Sequence, residues 1–162
     1  MEIRILDQRI KQPEYATPGS AAFDLRACST DGDKLHDGMT IVIPAGSTVM
    51  IGTGISLDLG TSDHKVSNEN GEIVFAGLVL PRSGWGCKGL KPGNAPGLID
   101  SDYHGQLFVC LVNQSGAAKS ISALDRIAQF AIVPAFKPVF NVVEQFSRET
   151  VRGEGGFGST GA

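Results

Sequence analysis

The sequence predicts an all-β domain of the sandwich or barrel type. Short apolar runs alternate with turn-forming Gly, Pro, Asp and Ser, whereas the apolar spacing of an amphipathic helix is hard to find. The chain has 162 residues, of which 41% are hydrophobic and 19% charged, as is ordinary for one globular domain. About ten short strands at this spacing are typical of two packed sheets or a barrel.

The candidate strands are short runs rich in Val, Ile, Leu and Phe, each bounded by turn-forming or charged residues. In chain order they cover residues 3–6, 22–27, 39–43, 48–51, 55–59, 73–80, 106–112, 119–121, 127–133 and 139–143. Residues 44–46 and 113–116 carry the Gly, Pro, Asn and Ser of tight turns, which separate neighbouring strands. After the last strand the chain becomes polar, so residues 1–143 are predicted as the β core and 144–162 as a tether and arm.

Two further segments interrupt the strands. Residues 83–88 predict a single helical turn. Residues 60–71 form a polar insert, for which an exposed loop is the favoured interpretation and a protein-binding or lid loop the alternative.

Charge and composition exclude several classes of function. The formal charge of −3 and a pI near 5.5 argue against general nucleic-acid binding, which usually requires a basic face. No apolar run is long enough to span a membrane, and Met1–Arg4 lacks the layout of a signal peptide. The three cysteines and three histidines are scattered, which predicts reduced thiols in the cytoplasm and no built-in transition-metal site.

The residues 152–161 combine five glycines with an arginine, a phenylalanine and two adjacent hydroxyls. Open backbone N–H groups and a guanidinium suit a polyphosphate, and the aromatic ring suits a flat base. The G-x-G-x-x-G spacing ending at Gly158 is not a dinucleotide fingerprint, because no helix follows it, and without a following Lys it is not a Walker A loop. A glycine-rich tail without function is the alternative.

Two loops at strand ends carry polar groups. Arg82, Ser83 and Gly84 follow the apolar run 73–80 and offer a guanidinium and a hydroxyl to phosphate oxygens. Asp100 follows Leu98 and Ile99, so we expect it to be partly desolvated and usable as a general base.

The same region holds three more candidates. Asn94 carries a donor and an acceptor that suit the edge of a base. Asp102 has the composition of a turn cap. Tyr103 is either a core residue or a flat wall for a sugar.

Two acidic residues have open interpretations. Asp24 lies within an otherwise apolar strand, so it needs a partner, which is either an arginine or a hydrated Mg²⁺. Asp125 and Arg126 precede Gln129 at the start of another strand, and on their own they are typical of a surface ion pair beside a solvated amide.

Taken in order, these clusters resemble the five motifs of the trimeric dUTPases, which hydrolyse dUTP to dUMP and pyrophosphate. The matching segments are 22–27, 81–84, 93–105, 126–129 and 152–161. The resemblance implies a jelly-roll-like distorted barrel or sandwich with a flexible C-terminal arm. It also implies a homotrimer whose three active sites are shared between subunits.

The resemblance also implies a role for each matching residue. Asp100 resembles the base that activates water, Tyr103 the ring that packs on deoxyribose, and Asn94 the reader of uracil. Mg²⁺ is implied as cofactor, met by Asp24 only through water. The remaining residues implied in substrate binding are Arg82, Ser83, Gly84, Gly97, Ile99, Gln129, Arg152, Phe157, Gly158, Ser159 and Thr160.

Two other functions stay open. One is a dCTP deaminase, a relative with the same fold and similar phosphate binding. The other is a nucleotide-sensing regulatory protein that binds a partner through the insert 60–71. The pair Asp100 and Tyr103, together with the glycine-rich arm, matches the hydrolase better than either of these.

Overall fold

The computed structural model describes residues 1–30, 33–60 and 66–156, and it confirms the all-β prediction. The strands are β1 (Glu2–Ile5), β2 (Ala22–Arg26), β3 (Ser29–Thr30), β4 (Asp33–Lys34), β5 (Thr40–Ile43), β6 (Thr48–Gly52), β7 (Ile55–Asp58), β8 (Val66–Asn68), β9 (Gly71–Pro81), β10 (Leu90–Pro92), β11 (Gly97–Ile99), β12 (Phe108–Asn113), β13 (Lys119–Ser122) and β14 (Arg126–Pro138). A single helical turn, α1 (Ser83–Gly86), follows β9. Within the described residues, no helix has the length and apolar character needed to cross a membrane.

Two five-stranded sheets form the body of the domain. One has the order β10-β12-β6-β3-β4, and the other has the order β11-β9-β14-β2, with β8 paired to β9. Two smaller two-stranded sheets, β1-β7 and β13-β5, complete the structure. All pairings are antiparallel, and the longest joins β9 to β14 in unbroken register from Ala128↔Pro81 to Pro138↔Gly71.

The core lies between these sheets as one cluster to which all four contribute. Alternate residues of β12 point inward, with Val109 and Leu111 almost fully buried, as expected for a strand with one covered face. Phe130 of β14 packs on Phe23 of β2 with ring centroids 5.4 Å apart. A Cβ on Gly77 would lie 2.1 Å from the Phe130 ring, so glycine at that position makes room for the largest fully buried side chain.

The structure departs from the predicted strands at the polar insert and near the end of the domain. Residues 139–143 were expected as a strand, but β14 runs on to Pro138 and the following residues have no strand partner in the described structure. The apolar pattern there was therefore misleading. The insert is partly structured, because β8 pairs with the start of β9 through the turn at Glu69 and Asn70. Residues 61–65 of the insert lie outside the described residues.

A buried ionic cluster fixes the N-terminal segment to the body. Asp7, which is 6% exposed, accepts hydrogen bonds from the Arg9 guanidinium at 2.6 to 3.2 Å. Arg9 also reaches Asp37 at 2.8 Å, and Lys34 lies 3.5 Å from Asp7. The hydrogen bonds from Arg9 hold the pKa of the Asp7 carboxyl well below its usual range. Burial has the opposite effect on the neighbouring thiol and raises the pKa of Cys28 to about 11.

We expect Asp7 to make stability depend on acid pH. A carboxyl whose pKa is lowered by folding contributes stability above its unfolded pKa of 3.8, and this contribution is lost as the pH falls toward the folded value. Asp7→Asn should therefore cost about 2 kcal/mol at pH 7, the worth of a charged hydrogen bond, with a smaller cost at pH 3. Chemical denaturation of both proteins at equal concentration across this pH range measures the difference.

Asp37→Asn is the matched control, because its carboxylate binds the same arginine but is 77% exposed. Its cost at neutral pH should stay below about 0.5 kcal/mol. An equal cost for both variants, or a cost for Asp7→Asn that grows in acid, would contradict the assignment.

Candidate functional site

Five of the predicted site residues converge on one cavity. Asp24, Arg82, Ser83, Gly84 and Gln129 line a polar depression of about 420 Å³, here called the Arg82 cavity. They come from the middle of β2, from the segment that directly follows β9 and from the start of β14, and these three strands are neighbours in one sheet. At Pro81 the ladder ends, because the chain turns into α1. The exposed Ser83 and Gly84 therefore lie at the rim.

Asp24 is held by two arginines across this cavity. Its Oδ1 accepts a hydrogen bond from Arg82 Nε at 2.7 Å, and its Oδ2 lies 3.3 Å from Arg126 Nη1. The arginine that the sequence offered as one partner of Asp24 is confirmed by these contacts. The expected surface pair of Asp125 with Arg126 is wrong, because Asp125 instead accepts the Ser122 N–H at 2.9 Å.

Gln129 is also fixed rather than solvated. It lies opposite Asp24 in the β14–β2 pairing and is half-buried. Its Nε2 donates one N–H to the Pro81 carbonyl at 2.9 Å, which leaves the second N–H of the amide for a ligand. Two guanidinium groups keep further N–H donors beyond those used on Asp24, because each has five. The Arg82 cavity can therefore bind an anion with several oxygen atoms.

Asp100 lies at a second cavity, of about 590 Å³, here called the Asp100 cavity. It follows the end of β11, and Ser101 and Asp102 share the lining with it. Asp100 is exposed, so the expected partial desolvation is wrong for the single chain. The physical reason is that β11 is the edge strand of its sheet and pairs only with β9 among the described strands.

Tyr103 stands out from the loop 100–107 that connects β11 to β12. It is 42% exposed, which excludes the core interpretation for this chain. Its hydroxyl donates to the Gln106 carbonyl at 2.9 Å. A Cβ on Gly105 would lie 2.5 Å from the Tyr103 hydroxyl and 2.6 Å from the ring, so the ring folds back over glycine. This leaves a flat aromatic face for a ligand.

The remaining residues of this half lie just before Asp100. Asn94 is exposed in the turn that leads to β11, where the Ala95–Pro96 peptide bond is cis. Gly97 pairs with Val79 and is buried, and a Cβ there would come within 3.3 Å of Asn94 Nδ2. Ile99 pairs with Gly77 and is half-buried.

The two cavities lie at different positions along the β9–β14 ladder. Phe75 of β9 lines the Asp100 cavity, whereas Arg82, just past the end of that strand, lines the other. Since a strand rises about 3.3 Å per residue, the chain from one residue to the other spans about 20 Å. One copy of the chain therefore keeps its candidate base far from its candidate anion site.

Arg152, in the segment that follows β14, is the last of the predicted site residues that the structure describes. Arg152 Nε donates to the carbonyl of Gly155 at 2.8 Å, in a turn where Gly153 has a φ of +52°. This hydrogen bond stays within the tail, so Arg152 is not brought to either cavity. Phe157, Gly158, Ser159 and Thr160 lie outside the described residues.

Arg126 lies in the segment 126–129 that matches the family motifs, but the sequence assigned it no role of its own in the site. Its side chain, together with Glu14, also lines the Arg82 cavity. The neighbouring Asp125 concealed the role of Arg126, because adjacent opposite charges indicate a surface pair. Only the β14–β2 register, which brings Arg126 beside β2, could have identified Asp24 as its partner.

The described residues do not form a site that would bind a metal ion directly. No group of three or more His, Cys, Asp or Glu side chains suited to a metal occurs among the described residues. Asp24 is the acidic group in the middle of the Arg82 cavity, and both of its oxygens already face guanidinium groups. A carboxylate has about four lone pairs, so Asp24 keeps acceptor capacity for the water shell of a hydrated Mg²⁺, which would take phosphate oxygens as its other ligands.

Comparison with known proteins gives one consistent family. The dUTPase family model matches residues 8–161. Deoxyuridine 5'-triphosphate nucleotidohydrolases from Idiomarina loihiensis and Nitrosomonas eutropha are 45% and 43% identical, each alignment covering 99% of this chain and 97% of the relative. The solved structure of the Staphylococcus bacteriophage 80alpha dUTPase with dUPNHPP superposes with a TM-score of 0.74 at 23% identity, covering 99% of this chain and 98% of that one.

Proposed function

The chain belongs to the dUTPase family, and we propose that it hydrolyses dUTP to dUMP and pyrophosphate at a site built from its two cavities. The observation that carries the proposal is the convergence of Arg82, Ser83 and Gln129 on one polar cavity. A separate loop presents Asp100 and the Tyr103 ring. The polar cavity suits a triphosphate, and the loop with a carboxylate and an aromatic ring suits a nucleoside.

The Arg82 cavity is proposed to hold the triphosphate. The Ser83 hydroxyl, the Gly84 backbone and the Gln129 amide supply neutral donors, and Arg82 supplies positive charge. Asp24 fixes the guanidinium of Arg82 by the 2.7 Å hydrogen bond, so the phosphate chain meets a preorganised donor. Preorganised charge is worth most where charge develops in the reaction, here on the leaving pyrophosphate.

The residues before and within the loop 100–107 are proposed to hold the nucleoside and the attacking water. Asn94, beside Gly97 and Ile99, would read the edge of uracil, and Tyr103 would pack on the deoxyribose. The Asp100 carboxylate would accept a proton from water as the water oxygen attacks the α-phosphorus. The bond from the α-phosphorus to the bridging oxygen then breaks, and the pyrophosphate departs with that electron pair.

Magnesium is the cofactor that this donor set fits. Asp24 would hold it through water, with the substrate phosphates as its other ligands. When bound, the ion supplies positive charge that orients the triphosphate and offsets the charge on the leaving group.

We further propose that the site is completed by other copies of the chain in a homotrimer. The span of about 20 Å between the cavities exceeds the reach between a base and the α-phosphorus of one bound nucleotide, which must lie within hydrogen-bond distance of the attacking water. The exposed position of Asp100, just after the edge strand β11, also leaves it open to a neighbouring copy. Packing against that copy would supply the desolvation that the single chain lacks.

The segment after β14 is proposed to close the site as an arm. Between residues 139 and 156 the large apolar side chains are at least half exposed, which leaves them available to another surface. These residues are Val139, Phe140, Val142, Val143, Phe146 and Val151. Beyond them, Arg152, Ser159 and Thr160 would bind the γ-phosphate, and Phe157, followed by Gly158, would stack on the base. The three free cysteines fit a reducing cytoplasm for such an enzyme.

The proposed reaction is tested by pyrophosphate release from dUTP in Mg²⁺, compared with UTP, dTTP and dCTP. We expect release from dUTP at a kcat/KM at least about 100-fold above that for the other three, because the pocket must reject a hydroxyl, a methyl and an amine. Asp100→Asn keeps the shape of the loop but cannot accept the proton, so turnover should fall by about 10³-fold while dUTP still binds.

Two results would contradict this proposal. Ammonia released from dCTP, without pyrophosphate from dUTP, would identify a deaminase of the same fold. Full activity in Asp100→Asn would remove Asp100 as the base. Asp102→Asn, two residues away on the same loop, is the matched control and should retain most activity.

Sharing of the site between copies is tested by mixing two inactive variants. Asp100→Asn damages one cavity and Gln129→Ala the other. If each site takes Asp100 from one copy and Gln129 from another, co-refolded equal amounts should regain up to about a quarter of wild-type activity, the random chance of pairing two intact halves. Pyrophosphate release measures the recovery, and each variant refolded alone is the control. No recovery from well-folded mixtures would place the whole site in one copy.

The arm is tested by ending the chain at Val151. Removing Arg152 and the glycine-rich residues should lower kcat/KM for dUTP by at least about 100-fold, since γ-phosphate contacts and site closure are lost. The mass measured by light scattering should remain that of the full-length oligomer, because residues 139–151 are retained. Unchanged activity, or dissociation of the oligomer, would contradict the role given to the arm.

A further inference from the structure

We infer that Ser56 is a positioning residue for Tyr103 and thereby contributes to the choice between deoxyribose and ribose. The inference rests on the proposed function, because it assigns a task to the nucleoside half of that site. Ser56 belongs to β7, in a different sheet from β11, and it lies outside the segments that match the family motifs. It contributes to the site through the main chain of the loop 100–107.

The central contact is a short hydrogen bond from β7 to the exposed part of the loop. Ser56 is 2% exposed, and its hydroxyl donates to the carbonyl oxygen of His104 at 2.6 Å. His104 itself is exposed, with 63% of its side-chain surface accessible. A buried hydroxyl thus holds a carbonyl in the most exposed stretch of the loop. The same strand adds Asp58, whose Oδ2 lies 3.5 Å from His104 Nε2.

The Ser56 hydrogen bond holds the main chain directly next to Tyr103. His104 lies between Tyr103 and Gly105, and the Tyr103 ring folds back over Gly105. A shift of the His104 carbonyl rotates the peptide groups on both sides, so the ring and the glycine beneath it move relative to each other. The Tyr103 hydroxyl bonds the Gln106 carbonyl and so fixes the tip of the ring toward the end of the loop nearest β12. The Ser56 bond fixes the main chain between the ring and that end of the loop to β7.

The end of the loop nearest β12 has its own attachments. Gln106 Oε1 accepts the Gly54 N–H at 3.0 Å, and the Thr53 hydroxyl donates to the Leu107 carbonyl at 2.8 Å. At the other end, Ile99 is held by β9. Loss of the Ser56 hydroxyl therefore leaves both ends of the loop fixed and loosens the middle, where Tyr103 lies. The expected effect is on ligand fit more than on folding.

The discriminating measurement is the preference for dUTP over UTP, expressed as the ratio of the two kcat/KM values. Ser56→Ala should lower kcat/KM for dUTP about fivefold, the worth of one net hydrogen bond, chiefly through KM. The value for UTP should stay nearly unchanged, so the preference should narrow by the same factor. Ser56→Thr keeps the hydroxyl and should restore the preference.

Asn113→Ala is the control for a merely structural effect. Asn113 is fully buried at the far end of β12, where its amide donates to the carbonyls of Ile43, Pro44 and Ala117. Its replacement should lower the thermal unfolding temperature at least as much as Ser56→Ala does, while the preference for dUTP stays unchanged. A preference in Ser56→Ala equal to that of wild type, together with a lowered unfolding temperature, would overturn the inference.

A double-mutant cycle tests whether the effect passes through Tyr103. Tyr103→Ala should itself reduce the preference, and adding Ser56→Ala should then change it by less than about twofold, because coupled residues are not additive. Independent effects in the cycle would overturn the inference and leave the proposed function intact. An unchanged preference in Tyr103→Ala would instead show that the role of Tyr103 in the proposed function is wrong, and the inference would fall with it.

Discussion

The long antiparallel ladder between β9 and β14 sets the distance between the two halves of the proposed site. Its unbroken register carries Gln129 at one end and Lys137 at the other, and those ends line different cavities. Because the rise of a strand is fixed by its covalent geometry, no side-chain adjustment can bring the two cavities together. The proposed division of the site between copies of the chain rests on this length. Asp100, which directly follows the short edge strand β11 beside β9, is exposed.

In the proposed shared site, the half that contains the Arg82 cavity is already ordered within one copy of the chain. At the Arg82 cavity, Asp24 joins β2 to the residues flanking β9 and β14 through two guanidinium groups at 2.7 and 3.3 Å. The Asp24 side chain is 27% exposed, so solvent screens these pairs and their value lies more in orientation than in stability. Ion pairs that fix donors before a ligand arrives reduce the ordering cost of binding.

The sequence predicted the strands well where their signal was local, and it failed where pairing partners decided the outcome. Alternating β-branched and apolar residues identified β12, and the Pro–Arg–Ser–Gly segment identified the end of β9. The three-residue strands β8, β10 and β11 have too few residues to show a period, and they exist because a longer neighbour completes their hydrogen bonds. Residues 139–143 show the reverse case, since an apolar pattern without a partner strand does not form a sheet.

The site residues follow the same rule. Motif order identified Asp24, Arg82 and Gln129 as members of one site, but it could not assign Arg126 to Asp24, because that contact crosses 102 residues of sequence. The role of Ser56 could not be predicted from the sequence for a related reason. Its hydroxyl binds the main-chain carbonyl of a residue 48 positions away. Every residue has a main-chain carbonyl, so the sequence gives no sign of which carbonyl a hydroxyl will bind. Second-layer contacts of this kind become visible only in three dimensions, although catalysis depends on placement to within about an ångström.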